Sequence, residues 1–128
     1  MNPEFLELDE VLQIHVDQIA RHGGAQGLRD VGLLESALAM PQAGIGVEYL
    51  HSDIFEMAAA YLFHIVMNHP FVDGNKRVGA VAVLVFLFTN GVQVRVRNDS
   101  LVRLVLSVAE GKRSKAEVAK FLRTRSRF

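Results

Sequence analysis

Residues 73–91 read Asp73-Gly74-Asn75-Lys76-Arg77-Val78-Gly79-Ala80-Val81-Ala82-Val83-Leu84-Val85-Phe86-Leu87-Phe88-Thr89-Asn90-Gly91, and the way this stretch folds decides the architecture. Its start is polar, its end is an Asn-Gly stop, and Val78 to Phe88 between them are apolar apart from Gly79. So many valines suit a buried strand, because β-branched side chains pack well on a pleated surface. Length, the polar start and the stop signal favour a helix instead. A helix that is apolar on all sides has to lie inside other helices, so the segment predicts the central buried helix of a bundle.

Working outward, Asp53 and Glu56 have capping-box spacing. Ile54, Met57, Ala58, Tyr61, Leu62 and Ile65 then mark one helical face. That helix must end near Asn68 or His69, because the residue before Pro70 is pushed away from helical geometry. Residues 41–52 hold Gly44 and Gly46 and little periodicity, which predicts a loop or small ribbon. Further back, Leu8, Val11, Leu12, His15 and Ile19 follow helical spacing up to Gly23-Gly24, and Asp30 caps a short helix ended near Pro41. On the other side, Val92 to Val96 alternate as a short strand. Asn98 or Asp99 caps a helix to about Glu110, and Ser114 with Glu117 opens a last helix to about Arg123. The reading is all-α: a compact six-helix bundle around a central buried helix, one domain over 1–128, with at most a small β-hairpin. No repeat, linker or low-complexity segment interrupts it.

Half of the residues are apolar and 22% are charged, enough material for a packed core and contrary to disorder. Lys plus Arg and Asp plus Glu number 14 each, which is not the balance of a nucleic-acid binder. The end is basic nonetheless: Lys112 to Phe128 hold seven basic residues and one acidic residue, Glu117. Arg123, Arg125 and Arg127 read as a frayed solvated tail, with Phe121 and Phe128 as its only aromatic companions. Without cysteine there is no disulfide, thiolate nucleophile or cysteine zinc site. Met1-Asn2-Pro3-Glu4 lacks a secretory pattern, and the apolar run is well short of the about 20 residues a membrane span needs. The expectation is a soluble cytoplasmic protein with no membrane partner. His15 with His22 and His64 with Asn68 do not make metal spacing, and no P-loop or dinucleotide template is met.

Chemistry concentrates in His69-Pro70-Phe71-Val72-Asp73-Gly74-Asn75-Lys76-Arg77. A turn forced by Pro70 leads into a helix N-terminus, whose unpaired N–H groups and dipole favour an anion. Gly74 removes bulk where a phosphate would approach, Asn75 adds a neutral donor, and Lys76 and Arg77 add positive charge. Asp73 suits a magnesium ion bridging phosphate oxygens. His69 stands where it can take a proton from an attacking hydroxyl. Pro70 and Phe71 are structural, a turn and a core anchor. Taken singly, each residue has a plainer use: Asp73 as an N-cap, Gly74 as a turn residue, Lys76 and Arg77 as a solvated face. Together they are the parts that phosphoryl or nucleotidyl transfer requires.

This nine-residue run resembles the signature of the Fic/Doc superfamily, specifically its death-on-curing (Doc) toxin branch. Arg21-His22-Gly23-Gly24, Gly27-Leu28-Arg29-Asp30, Gly32-Leu33-Leu34-Glu35-Ser36-Ala37-Leu38 and Asn90-Gly91-Val92 are similar to that branch as well, over roughly residues 8–123. The resemblance implies a Fic/Doc-type bundle with a flap at about 41–52 that aligns a target segment. It implies His69 as the base, Asp73 as the holder of Mg2+, Gly74 and Asn75 as the anion hole, and Lys76 and Arg77 as ligands of the phosphates of ATP, the co-substrate. The implied function is that of a toxin in a toxin–antitoxin pair, moving the terminal phosphate of ATP to a threonine of a translation factor such as elongation factor Tu.

Two positions depart from the adenylylating Fic pattern: Lys76 replaces a second Gly and Ala80 a second Arg. A lysine crowds the space where inner phosphates would lie, and the Doc branch carries it, which favours phosphate over AMP transfer. Met67 stands where that branch can carry a phosphate-binding Arg. The self-inhibition pattern of the family (Ser or Thr, three residues, Glu, Gly or Asn) is not met, since Leu106 holds the first position before Glu110-Gly111 and Ser107 is one residue too close. The resemblance to the Doc branch implies inhibition by a separate antitoxin protein whose C-terminal segment folds onto a groove. The competing readings are a nucleotidyltransferase (AMPylation) and a non-catalytic module whose basic tail contacts the ribosome or RNA.

Overall fold

The computed structural model describes residues 2–127. They form six helices: α1 Leu8–His22, α2 Val31–Ala39, α3 Ile54–Asn68, α4 Asn75–Thr89, α5 Asn98–Ala109 and α6 Lys115–Thr124. A single 3-10 turn, Met40–Gln42, extends α2. The strands are two residues each: β1 Gly44–Ile45 with β2 Glu48–Tyr49, and β3 Gln93–Val94 with β4 Ser126–Arg127, both pairs antiparallel. The all-α, six-helix expectation holds, and small strand pairs are the sheet content of the described residues. None of these helices is long and apolar enough to cross a membrane.

Helix boundaries follow local chemistry. The Asp30 side chain accepts the Leu33 N–H, that of Asp53 the Glu56 N–H, and Ser114 with Glu117 makes a full reciprocal box. The box expected at Asp53 is only half made, because Glu56 takes the Ser52 hydroxyl instead of closing it. Helix α5 begins at Asn98 with Arg97 at its cap; Asp99 lies inside the first turn and accepts the Ser100 N–H. Helix α4 begins at Asn75, with Gly74 as its cap in the left-handed region that glycine tolerates.

The middle of the bundle is the α3–α4 pair. Helix α3 packs on α2, α4, α5 and α6, and α4 packs on α1, α3 and α5. Gly79 permits this closeness, since a Cβ there would lie 3.1 Å from the Leu62 side chain. Helix α4 buries Val78, Ala82, Val83, Phe86 and Leu87, while Ala80, Val81, Leu84 and Val85 are half-buried and Phe88 is exposed. Its apolar surroundings are therefore incomplete on one flank, and that flank faces a cleft described below.

The tail corrects the sequence reading. Ser126 and Arg127 pair with β3, the Arg95 N–H donates to the Arg125 carbonyl (2.6 Å), and the Arg125 guanidinium lies 3.8 Å over the Phe121 ring. Cross-strand bonds and a cation–π contact hold what looked like a frayed end. Phe128 lies outside the described residues.

Candidate functional site

The loop joining α3 to α4 is the motif segment. Helix α3 stops at His69, whose backbone is left-handed (φ 51°, ψ 54°), the one non-glycine residue with positive φ among those described. Pro70 forces the stop, because its ring excludes helical geometry at the preceding residue. Histidine is among the residues that tolerate this region better than most. Pro70 and Phe71 are buried, as expected of structural residues, while His69 and Asp73 are exposed.

A second segment, residues 24–30, lies along this loop and holds it. Leu28 bridges Phe71 in antiparallel fashion, and the Val72 N–H donates to the Gly27 carbonyl (3.0 Å). The Arg29 and Asp30 N–H groups both donate to the Pro70 carbonyl, at 2.7 and 3.0 Å. The Arg29 side chain donates through Nε to the His69 carbonyl (2.7 Å) and through Nη2 to the Asn68 carbonyl (3.0 Å). From inside, the buried His15 stacks on Phe71, with ring centroids 4.0 Å apart and planes 6° from parallel. Its Nε2 lies 2.9 Å from the Asp73 carbonyl. A carbonyl can only accept, so that nitrogen carries the proton.

Asn75 locks the loop from the helix side. Its side chain, 4% exposed, accepts the Phe71 N–H through Oδ1 (2.9 Å) and donates through Nδ2 to the Phe71 carbonyl (3.0 Å). Both ends of the carboxamide are thus tied to Phe71, and what Asn75 turns to the helix start is its main-chain N–H. The Asp73 carboxylate accepts the Gly74 N–H on one oxygen (2.8 Å) and the Ala25 N–H on the other (3.2 Å). Those two amides, Ala25 first, hold its pKa below the ordinary carboxylate value against the opposing effect of burial, and the Arg77 charge adds to the lowering. Each oxygen keeps a lone pair for a further partner. Gly24 makes this arrangement possible: φ is +116°, and a Cβ there would stand 2.7 Å from Asp73 Oδ2.

The first helical amide of α4 with a main-chain partner is that of Val78, which donates to Gly74 (2.9 Å). The N–H groups of Asn75, Lys76 and Arg77 are the unpaired donors of the helix start, where the dipole is positive. Lys76 is exposed beside them. Arg77 turns back toward α1, its Nη1 donating to the carbonyls of Gly23 (3.0 Å) and Gln18 (3.3 Å). Lys76 and Arg77 also border a cleft of about 630 Å³ between α1, α4 and α5. Its walls are mostly apolar and include Ala80, Leu84, Val102 and Leu106.

All nine motif residues are thus brought into one corner. Sequence reasoning missed three residues that support it: His15, Gly24 and Arg29. His15 carried a signal, being a polar residue on the buried face of an amphipathic helix. The Gly24 and Arg29 signals lie in tertiary approach, which spacing does not reveal.

Residues 5–87 match the model of the Fic/DOC family. Two curated proteins are similar to the chain. "Protein kinase doc" of Escherichia phage P1 is 36% identical over 115 residues, covering 90% of each chain. "Toxin Doc" of Mycolicibacterium smegmatis is 41% identical over 91 residues, covering 71% of this chain and 68% of that one. With the motif corner, the helical bundle and these matches in agreement, the chain belongs to the Fic/DOC family, in its Doc branch.

Proposed function

We propose that this protein is the toxin of a toxin–antitoxin pair and transfers the terminal phosphate of ATP to a threonine hydroxyl of a translation factor such as elongation factor Tu. The observation that carries the reading is the juxtaposition in one corner of an exposed imidazole, an ionised carboxylate and three unpaired helix amides. The names of the two relatives, a protein kinase and a toxin, support it.

In this reading His69 removes the proton of the attacking hydroxyl. The hydroxyl oxygen then bonds to the terminal phosphorus, the bond to the bridging oxygen breaks, and ADP leaves. The amides of Asn75, Lys76 and Arg77, with the Lys76 ammonium, hold the phosphate oxygens. Asp73 fits a magnesium ion arriving with ATP, since one carboxylate with free lone pairs, phosphate oxygens and water complete its shell. Held by Asp73, the ion would supply positive charge against the charge that develops in the transfer. No group of three or more His, Cys, Asp or Glu among the described residues forms a separate metal cage. Lys76 at the first turn, where the adenylylating Fic pattern has glycine, supports terminal-phosphate transfer, because a side chain at that position would crowd inner phosphates.

The cleft between α1, α4 and α5 suits the antitoxin. Val102 and Leu106 are exposed on its rim, and Lys76 stands at the phosphate end, so an apolar segment seated there reaches the ATP site. The deciding experiment incubates the protein with elongation factor Tu and ATP labelled at the α or γ phosphate. Label from γ on the factor, lost in His69→Ala, is the expected result. Label from α would establish AMP transfer, and growth arrest retained by His69→Ala without nucleotide binding would establish a non-catalytic module.

A further inference from the structure

We propose that Arg29 is the positioning residue of the site: its guanidinium fork grips the carbonyls of Asn68, the last residue of α3, and of His69, its cap, and so sets the direction in which His69 presents its imidazole. The inference rests on the reading of His69 as the base. Among the described residues, the His69 ring has no hydrogen-bond, ionic or aromatic partner in the chain, so nothing of its own holds it. Its direction is inherited from the backbone, and that backbone is left-handed, a state that costs a non-glycine residue free energy.

Three consecutive carbonyls define this turn, those of Asn68, His69 and Pro70, and all three accept from Arg29 or its neighbour. The two side-chain bonds, 2.7 and 3.0 Å, come from different nitrogens of one planar group and address successive peptide units. A helix C-terminus leaves carbonyls unpaired and carries partial negative charge, so a cation there meets both needs. A lysine, with one nitrogen, cannot span two diverging carbonyls in the same way. Arg29 forms no ion pair with any carboxylate of the described residues, so these carbonyls are its side-chain partners. Asn68 ties the same turn to α2 by donating to the Leu33 carbonyl (3.0 Å), and the His69 N–H donates to the Ile65 carbonyl (3.2 Å); these anchor the helix end but leave the His69 carbonyl to Arg29.

The test compares Arg29→Ala and Arg29→Lys with the unaltered protein by amide hydrogen exchange and by γ-phosphate transfer from ATP. Exchange in segment 66–76 is expected to rise about tenfold in the Ala variant while α6 stays as protected as before, a local opening and not a global one. Transfer is expected to lose about a hundredfold in kcat with KM for ATP changed less than about threefold, since misplacing a reacting group acts on the transition state. Added methylguanidinium is expected to restore at least about a tenth of the lost rate to Arg29→Ala and none to His69→Ala. Arg29→Lys keeps the charge and guards against simple unfolding; it is expected to recover only part of the rate. Unchanged exchange over 66–76, or full activity in the Lys variant, overturns the proposal. If the unaltered protein transfers no phosphate, the functional reading fails by itself, and the exchange measurement still decides the role of Arg29.

Discussion

Replacing Asn75 by Ala removes both side-chain bonds to the Phe71 peptide, and Phe71 is only 1% exposed. An orphaned buried donor or acceptor costs about 1–3 kcal/mol, so two of them cost about 2–6 kcal/mol. At this chain length each kcal/mol lowers Tm by roughly 3–5 °C, which predicts a fall of roughly 6–30 °C. Asn75→Asp sharpens the test because it keeps the shape and still accepts the Phe71 N–H, yet sets an acceptor against the Phe71 carbonyl. The buried carboxyl escapes that conflict by holding a proton, so its folded pKa rises above the unfolded value of about 3.9. A group with a raised folded pKa stabilises the fold below the unfolded pKa and loses that contribution as pH climbs through the folded one. The Asp variant is therefore expected to melt near the unaltered protein at pH 3.5 and far below it at pH 7. The deficit of the Ala variant is expected to be the same at both. Circular-dichroism melts at the two values decide it. An Ala variant within about 3 °C of the unaltered protein, or an Asp deficit that ignores pH, refutes the reasoning.

Gly24→Ala brings a methyl to 2.7 Å from Asp73 Oδ2 at a backbone angle that L-residues avoid. It is expected to cost about 1–3 kcal/mol in stability and to weaken magnesium–ATP binding by calorimetric titration; unaltered affinity would show that Asp73 does not face the metal–phosphate group. Burial, then Lys115 and then His51, bring the His64 pKa down to about 4 from 6.5. Between those values the folded chain holds fewer protons than the unfolded one, so stability is expected to fall as pH drops from about 6.5 to about 4. In His64→Gln, whose amide oxygen can still accept from Lys115, that slope should flatten, and denaturant midpoints across the range would expose a failure.

The helices were legible because their signals are local: Asp30, Asp53 and Ser114 cap where their spacing to the following residues says they must. The motif was legible for the same reason, being nine consecutive residues around one proline. What stayed hidden depends on approach between distant segments. Pairing of Ser126–Arg127 with Gln93–Val94 has no marker in either stretch alone, because each is too short to show a period. Likewise Arg29 reads as one more loop cation until the end of α3 is set beside it. The polarity of His15 was visible, but its use was not, since the Asp73 carbonyl it meets lies 58 residues away.

Most of the ties between residues 24–30 and the motif loop run through main-chain atoms: Val72 to Gly27, Arg29 and Asp30 to Pro70, and the bridge at Leu28. A scaffold joined by peptide groups is indifferent to most of the side chains it carries. Leu28, Val31, Met67 and Val72 stand out from it into solvent. They can be exchanged to suit a different incoming polypeptide while the imidazole and the carboxylate stay where they are. In such a corner, selectivity drifts cheaply and reactivity does not.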